Sequence, residues 1–220
     1  MKINSYAKIN LGLHILDKRE DGFHNIITIF QEIDFHDQLT IEKSETIAFD
    51  TNVNWLDSNN NTCISAIKIL KERYPNLPNF KIFLQKNIPT NAGLGGGSSN
   101  GTATLKAINE LCSLNIQHQE MKELAEKISA DSTFFVNGGM QGGEEKGQKL
   151  SPIKNIKIDN YLLLVMPEIK VQTSDAFMFI KKYLVKGQTH IKLSQMLEEL
   201  KAKNLSSELF YNDFEMHVFK

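Results

Sequence analysis

Between residues 86 and 104 the chain reads Lys-Asn-Ile-Pro-Thr-Asn-Ala-Gly-Leu-Gly-Gly-Gly-Ser-Ser-Asn-Gly-Thr-Ala-Thr, a strand end running into a glycine-dense turn that opens a helix. Gly93, Gly95, Gly96 and Gly97 free the backbone for positive φ and for close approach of a ligand, and Ser98, Ser99 and Asn100 can cap the helix and donate hydrogen bonds. Unsatisfied amides at a helix start, with the positive end of the helix dipole, make an anion site. Hydroxyls beside it suit a metal-bridged polyphosphate better than a lone sulfate, so the expected guest is a nucleoside triphosphate. A tight cap or a flexible linker is the plainer alternative. Four glycines beside three side-chain donors, set between a strand and an Ala/Leu-periodic helix, exceed what a cap requires.

Two common nucleotide-binding patterns do not fit. A P-loop ends in Gly-Lys-Ser/Thr, whereas here the last glycine is followed by Ser98-Ser99 with no lysine inside the loop. A dinucleotide fingerprint follows a buried apolar strand and has an acid about 20 residues on. Here the preceding strand, Phe80 to Gln85, is amphipathic, and the downstream stretch is a long helix through Cys112.

Phosphoryl transfer from a nucleotide to an alcohol asks the protein for positioning, charge compensation and removal of the hydroxyl proton. Asp131 is the candidate base. It sits in a small-residue turn after a helix and before Phe134-Phe135, where a carboxylate can be held near a substrate and partly shielded. It would serve equally as the N-cap of the short helix that follows, and the residues alone leave both readings open. Lys8, inside the otherwise apolar strand Tyr6-Ala7-Lys8-Ile9-Asn10-Leu11, points outward in half of such settings. Taken alone, Phe23 and Phe177 read as core aromatics, His24 as a surface turn residue and Lys86 as a solvated charge at a strand end.

The elements that must position these residues follow from periodicity. Ile3 to Leu16 alternates as a strand, and Asp21-Gly22 turns it toward a second strand, Ile26 to Phe35, forming a hairpin. Leu39 to Lys43 and Thr46 to Phe49 are short strands, and Thr62 to Tyr74 is a helix ended by Pro75. Phe80 to Gln85 leads into the loop, a helix from about Ser98 to Leu114 follows, and another spans Gln119 to Ile128. The glycine-rich stretch Gly138 to Gly147 contains Glu144-Glu145-Lys146 and reads as a hairpin turn rather than a second phosphate cradle. Tyr161 to Met166 is expected as a buried strand, Ser174 to Leu184 as a helix, and the charged remainder as two more helices.

Composition sets the class. The 220 residues are 41% hydrophobic with 25 basic and 26 acidic side chains, enough to bury a core in one or two domains and without the field that nucleic acid would favour. Apolar runs such as Tyr161 to Pro167 are too short to span a bilayer, and Met1-Lys2-Ile3-Asn4 lacks a signal peptide's apolar core, so a cytoplasmic protein without membrane partners is expected. Cys63 and Cys112 have no metal-ligand spacing and read as reduced thiols on helices, and no protein-held metal site is expected.

The string Pro89-x-x-Ala92-Gly93-Leu94-Gly95-Gly96-Gly97-Ser98-Ser99 resembles the second signature of the GHMP small-molecule kinases, and within them the 4-diphosphocytidyl-2-C-methyl-D-erythritol kinases. Tyr6-Ala7-Lys8-Ile9-Asn10-Leu11, Asp21-Gly22-Phe23-His24 and Ala130-Asp131-Ser132-Thr133-Phe134-Phe135 fit the same family in order, so the likeness covers the whole chain. The resemblance implies an α+β, two-domain fold: a ribosomal-protein-S5-like N-terminal domain over residues 1–153 and a shortened ferredoxin-like C-terminal domain over 154–220. It implies ATP with Mg²⁺ as cofactors and a cytidine diphosphate small molecule as substrate, phosphorylated at its 2-hydroxyl. Asp131 is then the base and Lys8 faces it, keeping the carboxylate ionised and stabilising the alkoxide. Asn61, Lys86 and the loop from Pro89 through Asn100 take the nucleotide; Phe23, His24 and Phe177 hold the cytosine, and Asn10 and Thr173 contact the polar portion of the substrate.

Departures from the family pattern are Phe23 where Tyr is usual, Thr90-Asn91 for a commoner Met-Gly, Gly101 for Ala, and Ser129-Ala130-Asp131-Ser132-Thr133 for Gly-Ala-Asp-Val-Pro. Members also continue past Asn212-Asp213-Phe214-Glu215 to a third glycine motif, whereas this chain ends at Lys220, so exposed apolar surface with an unpaired strand edge is expected, leading to self-association such as a homodimer or to marginal stability, with weak or no activity. The alternatives are another GHMP kinase of homoserine or mevalonate type, against which Asp21-Gly22-Phe23-His24 with Phe177 argues, and a catalytically silent nucleotide-binding remnant.

Overall fold

Two long strands open the chain: β1, Lys2–Lys18, and β2, His24–Ser44, joined by a turn in which Arg19 N–H donates to the Phe23 carbonyl (2.8 Å). The computed structural model describes residues 1–56, 60–158, 160–166, 191–206 and 208–215. The expected hairpin is present, but β2 is one strand where two were expected, at Ile26–Phe35 and Leu39–Lys43. The polar stretch His36-Asp37-Gln38 does not break it, because Asp37 is fully buried and its carboxylate is met by Lys86 and by the amides of Asn87 and Ile88.

Chain contacts separate two compact units. The first comprises Met1–Lys8, Glu32–Thr90 and Leu94–Gly138, and the second Ile9–Gln31, Asn91–Gly93 and Gly139–Lys220. In the first unit the end of β2 pairs antiparallel with β4, Asn79–Gln85, placing Gln38 opposite Gln85 and Ser44 opposite Asn79. The short strand β3, Ala48–Thr51, lies parallel to β4. On β4, Phe80, Ile82 and Leu84 are buried while Lys81, Phe83 and Gln85 are exposed, the period of two that one covered face imposes. The cover is α1, Thr62–Arg73, with α2, Gly96–Leu111, and α3, His118–Glu126. Their apolar faces supply Ile67, Leu70, Leu105, Ile108 and Leu124 to a core shared with Leu39, Ile41 and Phe80. A 3₁₀ turn, Ala130–Thr133, and the single-turn α4, Phe134–Asn137, follow α3.

In the second unit, residues 26–31 of β2 pair antiparallel with β5, Met140–Glu145, which in turn pairs with β6, Lys149–Pro152. The glycine-rich stretch expected as a turn is thus mostly strand, with the reversal at Glu145–Gln148, where Gly147 N–H donates to the Glu144 carbonyl. Helix α5, Leu193–Lys201, buries Met196 and Leu200 against Ile27, Ile29 and Met140. Residues 211–213 lie along β1, with Leu13 N–H donating to the Tyr211 carbonyl and Asp213 N–H to that of Leu13, both at 2.9 Å.

Tyr161–Met166 is not the buried strand its composition predicts. It has no regular secondary structure, and Tyr161, Leu163 and Val165 are 105%, 90% and 80% exposed. An apolar run becomes a strand only where a neighbour takes its N–H and C=O groups, and no strand among the described residues pairs with it. The helix expected at residues 174–184 lies outside the described residues.

Both cysteines fall in the first unit, in different surroundings. Cys63 lies in the first turn of α1, where burial pushes its thiol up to about 12, while Cys112, just past α2, is half-buried. Since only the thiolate reacts, a disulfide-exchange reagent at mildly alkaline pH should label Cys112 promptly and Cys63 only on unfolding. Prompt labelling of Cys63 in the native protein would contradict this packing.

Candidate functional site

The glycine loop delivers the chain into α2 through Gly95, which stands at the N-cap in the left-handed region with φ of 68°. Positive φ is confined to Asn91, Gly93 and Gly95 within the loop, whereas Gly96 and Gly97 already lie in the helix. At Gly96 the need for glycine is spatial, whereas a Cβ on Gly97 would stand 3.9 Å from Thr62 Cγ2, an ordinary contact. A Cβ on Gly96 would stand 2.9 Å from Ile88 Cγ2 and 3.1 Å from Lys86 Nζ; one on Gly95 would stand 2.8 Å from the Phe135 ring. Backbone and core therefore meet with no room for a side chain between them.

Ser98, Ser99 and Asn100 do not cap α2, which has no side-chain cap at all. Their side chains turn inward instead. Asn100 Nδ2 donates to Asp37 Oδ2 (2.8 Å) and to Ser5 Oγ (2.9 Å), and Ser5 Oγ donates to Ser99 Oγ (2.8 Å). Lys86 Nζ donates to the same Asp37 oxygen at 2.6 Å and to the Ile88 carbonyl at 2.5 Å. Asp37 Oδ1 accepts from the amides of Asn87 (2.7 Å) and Ile88 (2.8 Å). Lys86 is thus no solvated charge. Burial pushes its ammonium below the usual lysine range, and the Asp37 carboxylate opposes that fall. With the side chains committed inward, the first amides of α2, which have no intrahelical acceptor, are left to face outward at exposed Gly97.

Lys8 and Asp131 come together beside this helix start. Lys8 is buried, its N–H donates to the Leu94 carbonyl (3.0 Å), and its Nζ stands 3.7 Å from Asp131 Oδ2, a carboxylate 41% exposed. Asp131 lies inside the 3₁₀ turn rather than at its N-cap, which is Ser129, so the capping alternative is not realised. Asn61 caps α1 through Oδ1, accepting from the amides of Cys63 and Ile64, and Thr62 Oγ1 donates to the Gly97 carbonyl at 2.6 Å. Pro89 is half-buried before the loop, Ala92 and Gly93 are exposed and Leu94 is buried.

The second unit carries Asn10, Phe23 and His24. The residue types alone suggest a buried Phe23 and an exposed His24, and the structure has the reverse: Phe23 is 61% exposed at the hairpin tip and His24 is buried. A flat ring is thereby left accessible, with Lys146 Nζ 5.0 Å from its centroid. Asp21 holds the tip, accepting from Phe23 N–H at 3.1 Å and pairing with Arg19. Burial acts to raise the Asp21 pKa, and these partners with Lys146 bring it below the usual carboxylate range. Asn10 Nδ2 donates to Thr28 Oγ1 (2.8 Å), which donates to the Gly12 carbonyl. Thr173 and Phe177 lie outside the described residues.

Sequence reasoning missed Asp37, Ser5, Ser129 and Ser132. The available signal for Asp37 was an acid lying between two apolar strand segments; for the serines there was none, since Ser5 bonds to Ser99 and Ser129 to Ser98, 94 and 31 residues away. No group of three His, Cys, Asp or Glu side chains is gathered for a metal among the described residues.

Residues 61–140 match the family described as GHMP kinases N terminal domain. The chain is 36% identical over 213 residues to the 4-diphosphocytidyl-2-C-methyl-D-erythritol kinase of Caldicellulosiruptor bescii, an alignment covering 95% of this chain and 74% of that protein. With its counterpart from Persephonella marina the identity is 36% over 176 residues, covering 80% of this chain and 64% of that one. A crystal structure of 4-(cytidine 5'-diphospho)-2C-methyl-D-erythritol kinase superposes with a TM-score of 0.77 at 25% identity, covering 100% of this chain and 77% of its own. Mevalonate kinase of Methanococcus jannaschii shares the fold at a TM-score of 0.53 and 20% identity, over 70% of this chain and 56% of its own.

Two substitutions test the site's construction. Asp37→Ala strands the Lys86 ammonium in the core and should cost about 3–5 kcal/mol of stability in denaturant melts; a loss under about 1 kcal/mol would mean that the pair is not the anchor of the loop. Gly95→Val meets both a backbone penalty of about 1–2 kcal/mol and the Phe135 ring, and should abolish ATP binding by calorimetry; retained affinity would show that the loop is only a cap.

Proposed function

The chain belongs to the 4-diphosphocytidyl-2-C-methyl-D-erythritol kinase family of the GHMP kinases, and from that premise we propose that it transfers the γ-phosphoryl group of ATP to the 2-hydroxyl of 4-diphosphocytidyl-2-C-methyl-D-erythritol, in isoprenoid precursor synthesis in the cytoplasm. The observation that supports the reading best is the Lys8–Asp131 pair at 3.7 Å, tied to the first turn of a helix whose leading amides have no side-chain cap. Positive dipole, outward N–H groups, a buried cation and a half-exposed carboxylate are the parts that phosphoryl transfer needs.

In this reading the loop from Pro89 through Ser98 cradles the phosphates with backbone N–H groups, Mg²⁺ arriving with the nucleotide to neutralise their charge. Lys86, Ser99 and Asn100 serve it from beneath, fixing the backbone through Asp37, and Asn61 holds the neighbouring start of α1 at the nucleotide's side. Asp131 takes the proton of the attacking hydroxyl, and Lys8 offsets the negative charge that gathers on that oxygen. Phe23 stacks on the cytosine with Phe177 as its partner ring, His24 reads the base edge, and Asn10 and Thr173 bind the polar portion.

Asp131→Asn should lower turnover by about two to four orders of magnitude in a coupled ADP-release assay while ATP affinity stays near wild type, because only the base is removed. Unchanged turnover would eliminate the role, and ATP binding without turnover in the wild type would mark a silent remnant. A site built to hydrogen-bond the amino edge of cytosine leaves its own groups unpaired against uracil, so CMP should compete with substrate far better than UMP. Equal inhibition by the two would refute the cytidine substrate and leave the kinase assignment standing.

A further inference from the structure

Three serine hydroxyls form a continuous chain between the first turn of α2 and the turn that carries Asp131. Ser98 Oγ and Ser129 Oγ are 2.7 Å apart, Ser129 Oγ and Ser132 Oγ are 2.7 Å apart, and Ser132 Oγ donates back to the Ser98 carbonyl at 3.4 Å. Thr102, one turn further along α2, adds a fourth hydroxyl, donating to the carbonyls of Ser98 (3.0 Å) and Ser132 (2.9 Å). Ser132 is fully buried.

The arrangement is not what local structure requires. Ser129 occupies the N-cap position of the 3₁₀ turn with extended φ of −169°, where a serine ordinarily spends its oxygen on the amides of its own helix, yet it makes no cap bond. Its hydroxyl is committed across the molecule to Ser98 instead. The two serines flank Asp131 at minus two and plus one, so the chain of hydroxyls grips the turn on both sides of the carboxylate. Among the described residues the Asp131 carboxylate is met by Lys8 Nζ at 3.7 Å, a separation too long for a firm hydrogen bond.

We infer that Ser129 and Ser132 are positioning residues that clamp the Asp131 turn to the phosphate-loop end of α2 and so set the distance from the base to the phosphoryl donor. The inference rests on the reading of Asp131 as base. Hydroxyls in series strengthen one another, and Ser98 ties the same chain to the first turn of α2.

The test is Ser129→Ala/Ser132→Ala, measured in parallel by hydrogen exchange over residues 129–137 and by steady-state kinetics on the full chain. The clamp predicts faster exchange in that segment with α1 and β4 unchanged, and kcat lowered by about 10- to 100-fold with KM for ATP within about twofold, since a displaced base costs rate and not binding. Ser129→Thr, which keeps a hydroxyl at the half-buried position, should restore most of kcat. Unchanged exchange, or unchanged kcat with faster exchange, overturns the inference, as does a parallel loss of ATP affinity and kcat. Should the double variant fail to fold, Ser129→Ala alone carries the same comparison. If the wild type transfers nothing to the cytidine substrate, that substrate assignment fails, and the clamp is then decided by exchange together with basal ATP hydrolysis.

Discussion

The entry to the glycine loop and the first turn of α2 lean on one buried carboxylate. Asp37 has no solvent exposure, and both of its oxygens are engaged: one by the Lys86 ammonium and the Asn100 amide, the other by two consecutive backbone N–H groups of the chain entering the loop. An isolated charge there would be prohibitively costly, and pairing a lysine with a carboxylate offsets the penalty only when the remaining lone pairs find donors, as they do. The result is a fixed point joining β2, the end of β4 and the first turn of α2.

That constraint explains the character of the loop. Of the side chains that could have capped α2, Ser99 and Asn100 are recruited into the Asp37 network and Ser98 bonds to Ser129, so the helix begins with bare amides. Gly96 must lack a side chain because the Lys86 ammonium and Ile88 lie directly beneath it, and Gly95 because the Phe135 ring does. The glycines and the buried ion pair are therefore one device seen from two sides, and its outer face is a cluster of N–H donors at the positive end of a 16-residue helix.

The amphipathic elements were readable from the sequence because their signal is local. β4 alternates as its residues require, α1 and α3 fall within two residues of the periodic segments, and the loop announces its own position. Lys8 and Asp131 are brought together as the family pattern implies, although each alone was ambiguous. What was not legible depended on distant partners. The continuity of β2 rests on Lys86, 49 residues from Asp37; the inward turn of Ser99 and Asn100 rests on Ser5 and Asp37; the exposure of Phe23 rests on a hairpin tip held by Asp21 and Arg19. Tyr161–Met166 shows the converse: its composition promises burial, and composition alone supplies no ladder partner.

The central claim is that the leading amides of α2 and the glycine loop are the phosphate site. Titrating the ¹⁵N-labelled protein with Mg²⁺-ATP tests it most directly. The account predicts that the largest amide shifts fall on Gly93, Gly95, Gly96, Gly97 and Ser98, with smaller changes at Ser129 and Asp131. Saturable shifts centred on another part of the chain, or none in the loop, would contradict it.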